Sequence, residues 1–208
     1  MKLWHSLAEQ FCQPTGLLGQ VVGFLFRMNR EGIDWTISLL EIQSADHVLE
    51  IGFGSGHGIE SVAKLVSKGR VAGVDFSATM LRQAARRNAA VIATGRAQLQ
   101  VGDASHLTYP DNSFDKAFAT NVAYFWTDPV ATLREIRRVI KPGGRLALYV
   151  VSKADMTRFK VTQTGIYRLY TGDELSTLVS QAEFRQVRVL TKVERHRTGI
   201  CALKSEGG

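Results

Sequence analysis

Short apolar runs alternate with longer runs of helical periodicity along this chain, and the alternation predicts its architecture. Val48 to Ile51 is apolar enough for a strand buried on both faces. Behind it Ile59, Val62, Ala63 and Val66 recur at the spacing of a helix face. The unit then repeats. Arg70 to Asp75 reads as a second strand, with Ser77 as the N-cap of a helix lined by Met80, Leu81, Ala84 and Ala85. Ala97 to Val101 and Asp115 to Asn121 are the next strands, and turn chemistry in Pro110-Asp111-Asn112-Ser113 separates them. Asp128-Pro129 is an N-cap with proline at the first helical position, opening a helix through Val130, Leu133, Ile136 and Ile140. Lys141-Pro142-Gly143-Gly144 turns into a fifth strand, Arg145 to Val151. After an irregular stretch at 152–170, Thr171 and Glu174 form a capping box for a helix through Leu175, Leu178, Val179 and Ala182. Gln186 to Val193 and Thr198 to Leu203 are two closing strands. Ahead of the first strand, Leu17, Leu18, Val21, Val22, Leu25 and Met28 form a wide apolar helix face. A second helix follows Asp34 and carries Trp35, Leu39, Leu40 and Ile42. Strands alternating with helices predict an α/β domain around a mostly parallel sheet.

The first strand stops in alternate glycines, Gly52, Gly54 and Gly56, with an acid, Glu50, inside its end. Such a turn brings bare backbone close to a ligand at the carboxyl end of the strand. A dinucleotide fold requires Gly-x-Gly-x-x-Gly. Here the third glycine position falls on His57 in one register and Ile59 in the other, so that fingerprint fails. A pyrophosphate wants the positive end of a helix and no carboxylate, so Glu50 favours a cationic ligand. Asp75 lies about twenty residues beyond the loop, where a carboxylate can accept both ribose hydroxyls of an adenosine.

Four blocks together resemble the class I, Rossmann-like S-adenosylmethionine-dependent methyltransferases, most closely their ubiquinone/menaquinone-type small-molecule branch. They are Glu50-x-Gly52-x-Gly54-x-Gly56, Val74-Asp75-Phe76-Ser77-x-x-Met80-Leu81, Asp103 through Asp115, and Leu133-x-Glu135-Ile136-x-Arg138-Val139-Ile140-Lys141-Pro142-Gly143-Gly144. The resemblance implies a three-layer α/β/α sandwich with a seven-stranded, mostly parallel sheet and a C-terminal antiparallel hairpin. It further implies one domain over residues 1–208, with 1–45 as a helical lid and 46–208 as the Rossmann-like core. The implied cofactor is S-adenosylmethionine, leaving as S-adenosylhomocysteine. Gly52, Gly54 and Gly56 would pass its methionine part and Glu50 would lie near its ammonium. Asp75 would hold the ribose, with Phe76 and Met80 beside the adenine. Within Gly102-Asp103-Ala104, Asp103 would accept the adenine amino group and the Ala104 N–H would meet a ring nitrogen. Backbone at Asn121 and Val122 would meet the methionine end, while Tyr124, Trp126 and Met28 would line the acceptor pocket. Family enzymes that methylate nucleic-acid amino groups carry two prolines where this chain has Val122 and Ala123, so that chemistry is not supported. An O- or C-acceptor would need a base, for which His57, Tyr124, His106 and His5 are the candidates, although a histidine at position 57 can equally be structural.

Composition narrows the partners. A formal charge of +7 is spread over helices, with Arg82, Arg86 and Arg87 on one and Arg134, Arg137 and Arg138 on another. Solvated helix faces account for this better than a nucleic-acid or membrane surface, while an anionic small-molecule acceptor stays open. The apolar stretch Leu17 to Phe26 is short of the ~20 residues that span a bilayer, and no secretory signal pattern stands before it. Cys12 and Cys201 have no framework or metal-ligand spacing, which fits reduced thiols in a cytoplasmic protein, and no metal site is expected. Two other readings stay in play: an NAD(P)-dependent oxidoreductase of ordinary Rossmann type, and a non-catalytic cofactor-binding protein. The acceptor, the methylated atom and the oligomeric state leave no signature in the sequence.

Overall fold

The computed structural model describes residues 30–194 and 197–204, together with Ala8. The expected helix at Leu17 to Met28, and with it Met28 as a pocket residue, lies outside them. Helix α1 (Arg30–Leu39) precedes strand β1 (His47–Ile51), and α2 (His57–Leu65) leads to β2 (Arg70–Asp75). Helices α3 (Ala78–Arg87) and α4 (Ala89–Ala93) lead to β3 (Ala97–Val101), and β4 (Phe114–Thr120) follows by a loop. Helix α5 (Pro129–Val139) runs straight into β5 (Ile140–Val151), and a one-turn helix α6 (Lys153–Met156) opens the insert after it. Helix α7 (Gly172–Gln181) then precedes the hairpin of β6 (Val187–Glu194) and β7 (Arg197–Lys204).

The seven strands form one sheet in the order β3-β2-β1-β4-β5-β7-β6. The first five pair in parallel, and β7 is antiparallel to both β5 and β6. Chain order reverses between β1 and β4, so their carboxyl ends open a crevice at the switch point.

Side-chain alternation splits the core into two layers, one on each face of the sheet. On one face Leu49, Ile51, Ala117, Ala119, Leu146 and Leu148 pack against Leu133 and Ile136 of α5 and Leu175 and Val179 of α7. On the other, Val48, Val71, Phe118, Ala147 and Tyr149 meet Ile37 of α1, Ile59 and Val62 of α2, and Met80 and Ala84 of α3. Two parallel strand faces, each covered by helices, are what near-continuous apolar strands require.

The N-caps read from the sequence are present. Ser77 accepts from Met80 N–H at 3.3 Å, Asp128 from Ala131 N–H at 3.0 Å, and Thr171 with Glu174 completes its capping box. Two boundaries differ. Helix α1 is already formed at Arg30 rather than opening after Asp34, and Asp34 is not a cap: its carboxylate accepts from His57 and Ser61 of α2. The expected turn at Lys141–Gly144 is absorbed as an irregularity in β5, whose register on β4 jumps from Phe114↔Ile140 to Lys116↔Arg145.

A candidate cofactor and acceptor cavity at the switch point

Beyond β1 the chain runs through three left-handed residues, Gly52 (φ +71°), Gly54 (φ +50°) and Gly56 (φ +80°). The neighbouring strands and α3 fix this path. Gly52 N–H donates to Val74 O at 2.7 Å, and Gly54 N–H to Asp75 Oδ2 at 2.8 Å. Asn88 Nδ2 donates to Gly56 O at 3.0 Å and Arg87 Nε to Ser55 O at 2.9 Å. A Cβ at Gly52 would collide with Val122, and one at Gly56 would lie 2.8 Å from the Ala84 methyl. A Cβ at Gly54 would meet no atom within 4 Å, because that residue faces the open crevice. There bare backbone is presented to a ligand rather than to the protein.

Carboxylates ring the crevice. Glu50 is 1% exposed and its Oε2 has no hydrogen-bond partner. Burial holds this carboxyl well above the ordinary glutamate range, and the Asp75 charge pushes the same way; the Ile59 N–H only partly offsets them. Asp75 is also raised by burial, against the N–H groups of Ser77 and Gly54 that donate to it at 2.8 Å each. Each of its oxygens keeps a second lone pair for a hydroxyl. Asp103, exposed, accepts from Ser105 N–H at 2.9 Å.

The end of β4 supplies the far wall. Asn121 adopts φ +57°, a left-handed conformation that asparagine tolerates better than most residues. Its Oδ1 accepts from Val151 N–H at 3.1 Å and from the Tyr124 hydroxyl at 3.0 Å. Here the sequence expectation needs correction. Tyr124 is 3% exposed, its hydroxyl oxygen also accepts from Val151 N–H at 2.6 Å, and it lies outside the cavity lining. It braces the turn instead. A 3₁₀ turn at Ala123–Phe125 sends Tyr124 inward and leaves Phe125 and Trp126 on the cavity. Phe125 packs at 4.9 Å, tilted by 60°, against Tyr167 of the insert, and Arg168 N–H donates to Tyr124 O at 2.9 Å.

The resulting cavity of about 570 Å³ is of ordinary ligand size. Glu50, Gly52, Gly54, Asp75, Phe76, Met80, Gly102, Asp103, Ala104, Asn121, Val122 and Trp126 all line it, as does His57. Gly56 does not; it is turned against α3. Ile33, Phe125, Ala131 and Thr132 line it without having been singled out in the sequence. Ala131 and Thr132 belong to the first turn of α5, and the rule that helix N-termini face a switch-point crevice would have found them. His57 Nε2 lies 3.1 Å from Asp34 Oδ1, while its Nδ1 is buried without a partner.

An adenosyl sulfonium fits this lining on its charge. Glu50, Asp75, Asp103 and Asp128 border the cavity, and among the described residues no lysine or arginine does. A pyrophosphate would meet carboxylates and no counter-charge, which removes support from the NAD(P) reading. The switch-point crevice, the glycine loop and the acid at each of three successive strand ends define a class I, Rossmann-like S-adenosylmethionine-dependent methyltransferase.

Comparison with known proteins agrees. Residues 49–148 match the family described as methyltransferase domain. The uncharacterized methyltransferase YdaC of Bacillus subtilis is 30% identical over 129 residues, 62% of this chain and 69% of that one. A demethylmenaquinone methyltransferase of Lactiplantibacillus plantarum is 35% identical over 126 residues, 60% of this chain and 53% of that one, so the match spans about half of that relative. A solved S-adenosylmethionine-dependent methyltransferase from Aquifex aeolicus superimposes with a TM-score of 0.69 at 20% identity, over 96% of this chain and 97% of that one. The chain belongs to the methyltransferase family.

Proposed function

We propose that the protein moves the methyl group of S-adenosylmethionine to an O, N or C atom of a small, uncharged, planar acceptor. The observation that carries this is the cavity's charge: carboxylates at the ends of three successive strands, with no lysine or arginine in the described lining. Bound there, the cofactor supplies a methyl group already activated on a sulfonium. The protein's part is positioning and exclusion of water. Asp75 takes the ribose hydroxyls on its free lone pairs, Asp103 the adenine amino group, and Phe76 covers one adenine face. Gly54 lets the chain approach, and Glu50 faces the ammonium. Phe125, backed by Tyr167, and Trp126 give the cavity an aromatic wall against which a ring-bearing acceptor packs. A quinone-type ring, of the kind named in the demethylmenaquinone methyltransferases, suits that wall. Where the acceptor must lose a proton, His57 and His106 are the cavity-lining bases.

An anionic acceptor loses support, since no lysine or arginine is in the described cavity lining and two of the insert's cations are engaged elsewhere, Lys153 with Glu174 at 3.0 Å and Arg158 with Asp155 at 3.7 Å. Three of the six helix arginines are similarly tied, Arg138 to Glu135 and Asp111, Arg137 to Glu183, and Arg87 to Glu60, which argues against a nucleic-acid surface. Among the described residues no helix is long and apolar enough to cross a membrane. Calorimetry with S-adenosylhomocysteine, run beside thermal-shift measurements with NAD and NADP, tests the reading. Binding of the first alone is expected; stabilisation by a nicotinamide dinucleotide alone would overturn it. A protein that binds the cofactor but methylates no acceptor in a broad metabolite screen would be a binding protein that kept the fold.

A further inference from the structure

Five large apolar side chains are exposed among the described residues: Leu65, Phe76, Val101, Phe159 and Val193. Phe76 belongs to the cavity. Phe159 and Val193 belong to one junction, where the insert after β5 meets the turn end of the β6–β7 hairpin. Ser152 N–H donates to Thr198 O at 2.8 Å, and Thr198 N–H to Asp155 Oδ2 at 2.7 Å. Thr198 in turn pairs across the hairpin with Val193, which is 75% exposed.

The backbone that carries Phe159 is tied down. Its N–H donates to Met156 O at 3.0 Å, and its carbonyl accepts from the Thr162 N–H at 3.1 Å and the Thr162 hydroxyl at 2.8 Å. Thr162 is itself buried, and Met156 packs on both layers of the core. The fold thus holds an aromatic ring 40% exposed on a fixed turn.

Cations surround that ring. Arg158 and Lys160 flank Phe159 in sequence and are both exposed, and the exposed Arg197 lies over the Phe159 ring, 5.2 Å from its centroid. Lys192, also exposed, shares the Arg197 face of the hairpin. Arg158 reaches Asp155 at 3.7 Å yet keeps 71% of its side chain in solvent. Asp155 is 17% exposed and is committed to Ser152 and Thr198, so the carboxylate of this junction is turned inward.

Charge and apolar surface together select the partner. The cations call for an anionic one, and Phe159 and Val193 call for one with an apolar layer directly behind its charge. Anionic phospholipid has both in that order, with headgroups level with the guanidinium and ammonium groups and acyl chains beneath. A nucleic acid would satisfy the cations but not Val193, and Arg197 already covers one face of the ring on which a base would stack.

We infer that the Arg158–Lys160 turn and the turn end of the β6–β7 hairpin form a docking surface for a membrane of anionic phospholipid. The same insert backs the cavity wall through Tyr167 against Phe125. Resting on the acceptor reading above, docking there sets the cavity next to the layer in which an uncharged, ring-bearing acceptor dissolves.

Flotation of the full chain with lipid vesicles tests the surface. It needs neither cofactor nor acceptor, so its failure is separate from failure of the methyl-transfer reading. Vesicles of phosphatidylcholine with about one part in three of phosphatidylglycerol should carry the protein, those of phosphatidylcholine alone should not, and salt should weaken the binding. Lys160→Gln combined with Arg197→Gln should lower the partition coefficient about twentyfold, at about fivefold for each cation. Phe159→Ala should lower it about threefold to tenfold. Phe159→Trp, an aromatic suited to the bilayer interface, should hold or raise it. Circular dichroism and Tm show whether each variant is folded. Equal binding to both vesicle types would overturn the inference, as would no binding, or binding that survives both the double variant and Phe159→Ala. Loss in the double variant with none in Phe159→Ala would overturn it too, since charge alone needs no apolar layer. Binding of a single-stranded oligonucleotide in place of vesicles would assign the junction to nucleic acid and overturn it equally.

Discussion

Gly58→Ala puts the first turn of α2 to a test in which the sign alone decides. In an ordinary helix, replacing glycine by alanine stabilises by roughly 0.5–1 kcal/mol, because the unfolded chain has less freedom to lose. Here the new methyl would come within 2.6 Å of Glu50 Cδ and closer still to Oε1. Glu50 is 1% exposed, so its carboxyl can retreat only toward the cavity or force the turn outward. Overpacking of this kind costs roughly 1–3 kcal/mol. The net expectation is a loss of about 1 kcal/mol, which at this chain length lowers Tm by roughly 2–4 °C. Calorimetry should show weaker S-adenosylhomocysteine binding as well, since the displaced carboxyl leaves its place beside the ammonium. The double variant Glu50→Ala, Gly58→Ala supplies the control: with the carboxyl gone, the alanine should become neutral or stabilising, a coupling that double-mutant cycles measure directly. A rise in Tm for Gly58→Ala alone would show that the carboxyl does not lie under that residue, and the geometry argued for Glu50 would fall with it.

Four further outcomes follow from the same structure. Glu50, whose carboxyl burial raises well above the ordinary glutamate value of 4.5, contributes stability that is fully present below that value and is lost as pH rises toward its raised folded value; the Tm difference between Glu50→Gln and the unmodified protein should therefore grow in the variant's favour with pH. Asp75→Ala removes the acceptor of both Gly54 N–H and Ser77 N–H, so cofactor binding should fall at least about tenfold while circular dichroism shows a folded protein. Tyr124→Phe deletes the hydroxyl between Asn121 Oδ1 and Val151 N–H and should cost about 1–3 kcal/mol of stability in denaturant titrations; an effect confined to acceptor kinetics, with stability unchanged, would return Tyr124 to the pocket wall. Asp128→Ala removes the N-cap of α5 and should cost about 1 kcal/mol in the same titrations.

Periodicity and caps made most of the layered fold legible, because the central strands β1, β2, β4 and β5 are largely buried on both faces and the longer helices each show one apolar face. The carboxylates that border the cavity were legible for a different reason: they stand at strand ends, where chain position alone fixes where they lie. What could not be read depends on a single residue's rotation or on contacts between distant segments. Tyr124 and Phe125 are adjacent aromatic residues, and only the 3₁₀ turn decides which one faces the cavity. The Asp34 pairing with His57 joins residues 23 apart in sequence through the packing of α1 on α2. The irregularity in β5 arises because α5 passes into the strand without a break, a continuity that Pro142, Gly143 and Gly144 conceal.

Helix α3 grips the glycine loop from both of its ends. At its start Asp75 joins Gly54 N–H to Ser77 N–H, and at its close Arg87 and Asn88 hold Ser55 O and Gly56 O. The shelf proposed for the cofactor is thus a closed brace that piecemeal substitution would break. Phe125, Trp126 and the insert at 152–170 lie outside that brace. Descendants of this chain can accordingly change which acceptor they take while leaving the donor's seat intact, so diversification of substrate among its relatives should concentrate in those residues.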